Sequence, residues 1–266
     1  EIGTATVTIE IEDENAKLPL IWGTNSDESK QREVDAAITT FCEWMKMDWQ
    51  QIDTLKRDLK KIGQLKVYKA GTLKINNTAP AVPADSTDSN AVRKGLTRQG
   101  RRRQPQPPPQ AQTAKGGVAE QLGSMVRLLH SSMIDTESLA VPYVKTEYRT
   151  ESTLKYMSRW GATQVNVITA PRQVLEAAFM FGGDASEVAD AIIKERQQKP
   201  FVDANDLTKK MYKYADSIRK SKDFITTASN VFSVKITAVS GVATVSMTAA
   251  VQMQGKKPQI LAIMTE

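Results

Sequence analysis

An alternating strand opens this chain, and every other strand signal lies at the far end. That separation constrains the fold more than any other feature. Residues 4–12 put Ala5, Val7, Ile9 and Ile11 on one side and Thr4, Thr6, Thr8 and Glu10 on the other. This is the period-two pattern of a half-buried strand, and Asp13-Glu14-Asn15 breaks it. A lone strand leaves a row of backbone N–H and C=O groups unpaired, so it needs a partner. Near the C-terminus Phe232, Val234, Ile236 and Ala238 alternate with Ser233, Lys235 and Thr237. Ser240-Gly241 reads as a turn. Ala243, Val245, Met247, Ala249, Val251 and Met253 then alternate with Thr244, Ser246, Thr248 and Gln252, before a second turn at Gly255-Lys256-Lys257-Pro258 and a last strand over 260–264. The pattern is a three-stranded antiparallel meander with one apolar face. Pairing residues 4–12 with that meander turns everything between them into an insertion. The expected fold class is α+β: an antiparallel β-core from the two chain ends, carrying a large inserted helical domain.

The middle of the chain carries helical periods. Residues 30–46 place Val34, Ile38, Phe41 and Met45 on one stripe; Ile52, Leu55, Leu59 and Ile62 form another, opposite Lys56, Arg57, Asp58, Lys60 and Lys61. Both predict amphipathic helices packed on a core. Cys42 falls in the first, where a buried packing role is expected. Residues 118–130 predict a further helix with Leu122, Met125, Val126 and Leu129 inward and His130 at its C-terminal end. Residues 150–160 predict another, with Leu154, Met157 and Trp160 inward and Gly161 as its stop.

The formal charge is +6, but it is concentrated. Residues 79–117 hold Arg93, Lys94, Arg98, Arg101, Arg102, Arg103 and Lys115 against Asp85 and Asp88, which is +5 and leaves +1 for the rest. The same stretch has six prolines and no aromatic residue. It cannot bury enough apolar surface to offset its ordering entropy and reads as a disordered insertion. Arg101-Arg102-Arg103 is either a hook for an acidic partner or a solvated loop.

Residues 165–215 read as a helix-hairpin-helix-like unit. Thr169 is placed to cap a helix whose apolar face is Val174, Leu175, Ala178 and Phe179, with Pro171 in its first turn and Gly182-Gly183 at its end. Asp184 and Glu187 have the spacing of a capping box for a second helix, on which Val188, Ala189, Ile192 and Ile193 are apolar. Phe201 is expected to plug the core. Asp203 is placed to cap a third helix with Leu207, Met211 and Tyr214 inward. A nucleic-acid-binding hairpin of this type holds a phosphate on exposed N–H groups. Here Asp184 occupies that place and would repel it.

Chemistry is sparse. A single histidine, His130, offers little for a catalytic triad, and Gly182-Gly183 lacks the Lys-Ser/Thr sequel of a phosphate loop. One cysteine permits neither an internal disulfide nor a multi-cysteine zinc site. The Asp203-Ala204-Asn205-Asp206 run starts like a calcium loop, but the twelfth position is Tyr214 and no Gly makes the turn. Asp13, Glu14, Asp27 and Glu28 are the remaining oxygen donors a fold could gather. No catalytic or cofactor residue is assigned, and the metal ligands stay unknown.

Several segments together resemble one family. GTATVTIEIEDENAKLPL (3–20), VNVITAP (165–171), the Ile192-Ile193, Arg196, Lys199-Pro200-Phe201 and Asp206-Leu207 positions, and Ser229-Asn230-Val231-Phe232 are similar to motifs of general secretion pathway protein K, a minor pseudopilin of type II secretion. Ile168 departs from the family's Asn, and residues 79–117 are not a family feature. The resemblance implies a pseudopilin-like β-core with a helical insert containing a helix-hairpin-helix or SAM-like unit. It implies a non-enzymatic structural role at the pseudopilus tip, in protein export. Other minor pseudopilins, and secreted proteins, would be the partners. It implies a periplasmic domain anchored in the bacterial inner membrane by an N-terminal helix absent from this sequence. It also implies that the helical domain could bind calcium. The expected divisions are 1–25 and 223–266 for the β-core, 26–78 and 118–222 for the helical insert, and 79–117 for the Pro/Arg-rich insertion. The competing reading is a helix-hairpin-helix nucleic-acid-binding protein of a DNA-uptake type, with Arg101–Arg103 as its electrostatic arm.

Overall fold

The alternating ends of the chain do pair. In the computed structural model, which describes residues 5–25, 28–65, 128, 132–145, 150–255 and 257–265, strand β1 (Thr6–Asp13) lies antiparallel to β8 (Val231–Ser240). Strands β9 (Ala243–Gln254) and β10 (Lys257–Thr265) follow in the order β1-β8-β9-β10. Gly241 and Gly255, with φ of +60° and +64°, open the two hairpin loops. Glycine at the first loop position suits the turn whose twist matches the strands. A register shift between Ile260 and Ala262 bends the last strand. The architecture is thus α+β, with the sheet built from the two ends.

Between β1 and β8 lies a helical body. The stripes read from sequence form α1 (Glu28–Trp44) and α2 (Trp49–Gln64), and Val34, Ile38, Phe41, Met45, Ile52, Leu55, Leu59 and Ile62 are all buried. Cys42 is fully buried, and desolvation pushes its thiol up to about 12. Such a thiol is a packing residue, not a nucleophile. A short helix α3 (Thr136–Ala140) leads to α4 (Arg172–Phe179), α5 (Ala185–Gln198), α6 (Ala204–Lys210) and α7 (Ala215–Lys220). One apolar cluster runs through them, from Leu18 and Trp22 to Phe179, Ile192, Phe201 and Leu207.

Three expectations are corrected. Residues 150–160 are not a helix. They form β4 (Thr150–Ser152), a 3₁₀ turn (Thr153–Tyr156) and β5 (Met157–Ser158). The first pairs with β3 (Pro142–Lys145) and the last with β2 (Leu18–Pro19), while β6 (Val165–Asn166) and β7 (Ile225–Thr226) pair with each other in parallel. Met157 and Trp160 are buried as expected, so the inward spacing was real, but strand partners from elsewhere in the chain set the backbone. Thr169 does not cap α4. Its hydroxyl donates to Asp13 Oδ2 at 2.6 Å, and Pro171 takes the cap position without a side-chain bond. Asp184 forms no capping box either: it sits at φ +53° with no side-chain cap bond. Its carbonyl accepts from the Val188 N–H. Asp203 does cap α6, accepting from the Asp206 N–H at 2.7 Å. Of the 118–130 helix, only Leu128 is described; it is helical and buried. Residues 79–117 and His130 lie outside the described residues.

Candidate functional site

Side chains alternate across the four strands, and the register sorts them into two faces. On one, Val7, Ile9 and Ile11 lie beside Ala238, Ile236 and Val234; these lie beside Val245, Met247 and Ala249, and Ile263 follows on β10. The other bears Thr8, Glu10, Glu12, Lys235, Ser233 and Thr248. The sequence pattern suggested that the apolar face would be buried. The reverse holds. Ser233 and Ala250, on the polar face, are buried, whereas Ile9 (61%), Ile11 (68%), Val245 (63%), Ile260 (60%) and Ile263 (54%) stay exposed. Contiguous apolar surface of this kind marks an interaction site.

The polar face is tied to the helical body by the acidic turn that ends β1. Asp13 Oδ2 accepts from Thr169 and Ser229 hydroxyls, both at 2.6 Å. Asn15 Oδ1 accepts from the Asn230 and Val231 N–H groups at 2.9 Å, while its amide donates to the Gln164 carbonyl at 2.8 Å. Glu14 is fully buried. Its Oε2 accepts from Ser158 at 2.6 Å; its Oε1 accepts from Ser233 at 2.7 Å and from Lys17 Nζ at 2.8 Å. Lys17 also bonds Glu12. A buried carboxylate needs such an array, since its desolvation is otherwise uncompensated. Asp13 and Glu14, considered as oxygen donors for a cation, are therefore the lock between sheet and helices. Asp27, and the side chain of Glu28, lie outside the described residues. Among the described residues no cluster of three or more acidic, His or Cys groups is placed to hold a metal.

The 165–215 unit is closed on itself. Arg196 donates to the Val167 and Ala170 carbonyls at 2.9 and 2.8 Å, clamping the loop before α4 onto α5. Burial holds this guanidinium below its ordinary range. Gly182 packs against α7 so closely that a Cβ there would lie 2.3 Å from the Ser217 carbonyl oxygen. Phe181 stacks on Phe224, with ring centroids 3.4 Å apart, and Trp22 meets both edge-on. Arg172 on α4 bonds Asp190 of α5 and lies 4.8 Å over the ring of Trp44 on α1. The hairpin is a packing joint, with Asp184 exposed beside it. Arg196 and the Glu14–Lys17 pair were missed as interacting groups in the sequence. The one signal was their place inside otherwise unexplained motifs.

The fold is similar to that of solved structures. One of them is the crystal structure of the GspK–GspI–GspJ complex from the type 2 secretion system of enterotoxigenic Escherichia coli. A chain of that complex matches 100% of this chain and 81% of its own, with a TM-score of 0.50 and 13% identity. No protein-family model matches this chain, and no curated protein does. At that identity the likeness is one of fold. The pseudopilin-like fold places the outward apolar sheet face and the locked helical body in one molecule. Among the described residues, no helix is long and apolar enough to cross a membrane.

Proposed function

We propose that this chain is a non-enzymatic structural subunit of a type II secretion-like machine, a minor pseudopilin at the pseudopilus tip that acts in protein export. The observation that carries the reading is the apolar sheet face turned away from the helical body. Exposing Ile9, Ile11, Val245 and Ile263 to water forgoes roughly 1.5–3 kcal/mol for each side chain that an assembly could bury. In the proposed protein an apolar N-terminal helix lies on this face and anchors the molecule in the bacterial inner membrane. The folded part is then periplasmic. Residues 1–25 and 223–266 act as the β-core, 26–78 and 118–222 as the insert displayed by the fibre, and 79–117 as a Pro/Arg-rich insertion within it. Other minor pseudopilins are the partners, with secreted proteins meeting the insert.

The test is sedimentation of this chain with the soluble domains of the minor pseudopilins from its own source. A mixed complex heavier than any component is expected; components that sediment independently would count against the proposal. The nucleic-acid reading is tested by titrating duplex DNA. Phosphate-driven binding would appear below about 50 mM salt and weaken steeply as salt rises; no binding is expected.

A further inference from the structure

A second surface lies on the opposite side of the sheet. Between the polar face and residues 152–160 runs a cleft of about 350 Å³. That is the lower end of the range for small-ligand sites. Glu10, Glu12 and Lys235 line one wall, and Lys155, Arg159 and Trp160 the other. The sheet wall carries charges of both signs. Lys235 stands directly opposite Glu10 in the strand register, and Lys17 bonds Glu12 and Glu14. Across the cleft, Arg159 is half-buried, and among the described residues no carboxylate pairs with it or with Lys155. A guanidinium presents a planar fork of donors that fits a carboxylate. Around it, the Ser152 and Thr248 side chains offer hydroxyls, and Leu154 and Met157 supply apolar contact.

We propose that this cleft binds a peptide segment bearing a single carboxylate, supplied by a partner protein, with Arg159 as the recognising group. The apolar contacts beside Arg159 favour a carboxylate carried on an aliphatic stem over a bare inorganic anion. The neighbouring aliphatic groups suit the rest of an extended peptide. The inference does not depend on the fibre-tip reading, because it uses only the cleft and its charges.

The test is an NMR titration of the ¹⁵N-labelled chain with acetyl-Ala-Glu-Ala-amide, with its Gln counterpart, and with inorganic phosphate. The Arg159 Nε–H and Trp160 indole signals are expected to shift with the Glu peptide and saturate in the millimolar range. The Gln peptide and phosphate are expected to leave them in place. R159Q should weaken the Glu-peptide response by about tenfold or more. Absence of a response to the Glu peptide in the unaltered chain would overturn the proposal. So would equal responses to the Gln peptide or to phosphate.

Discussion

Glu14 is a fully buried carboxylate, and the groups that hold it tie the sheet to the helical body. Removing its cation is therefore costly. K17M is expected to lower the unfolding free energy by about 3 kcal/mol, because a buried charge is left without its counter-ion; urea denaturation measures this. The pH dependence has a definite sign. Burial pulls the Lys17 pKa down, but the Glu14 and Glu12 carboxylates pull it up by more, so the folded value is raised. Its contribution is complete below the ordinary lysine value of ~10.4 and is lost as pH rises through the folded value. The two chains should thus converge in stability only in strong alkali. Arg196 makes a comparable clamp without a carboxylate. R196A, which strips two buried carbonyls of a charged donor, should cost about 2–3 kcal/mol in the same measurement. Neither group was legible in sequence, where a charged residue is by default a solvated one. Phe41, Cys42, Ile62 and Phe179 were legible, because periodicity alone places them inside.

At the scale of elements, long regular patterns were readable and short ones were not. Helices α1 and α2 and the C-terminal meander carry several repeats of one period, so local sequence determines them. Strands β2 and β5 have two residues each and exist because they pair across 139 positions, Leu18 with Met157. No local window contains that information. The caps failed for a similar reason: Thr169 had the right chemistry, but a distant acceptor, Asp13, claimed its hydroxyl. The Gly182-Gly183 hairpin follows the end of α4, and it is also a contact. In G182A the new Cβ would meet the Ser217 backbone at 2.3 Å, and backbone cannot swing aside. A loss of about 1–3 kcal/mol is expected on thermal or chemical unfolding. Within that loss, the contact between α4–α5 and α7 should loosen first, seen as faster amide exchange in residues 215–220.

At the scale of the whole molecule, the pairing of the two chain ends was foreseen, because a lone strand must find a partner and only one sheet was on offer. Which face of that sheet would meet the helices was not. Amphipathic alternation says that two faces differ; it does not say which is covered from within the chain. Here Glu14, Asn15 and Asp13, at the end of β1, hold the start of β8 and the segments at Ser158, Gln164 and Thr169 together through hydrogen bonds, and the apolar face is left for something else. The central claim is that assembly covers this face. The direct measurement is thiol labelling of I11C, on the exposed face, against D216C on α7, in the isolated chain and in the protein assembled in cells. Cys42 is buried and should stay silent in both. I11C should label readily in the isolated chain and be protected in the assembled protein, while D216C labels in both. Equal labelling of I11C in the two states would contradict the claim.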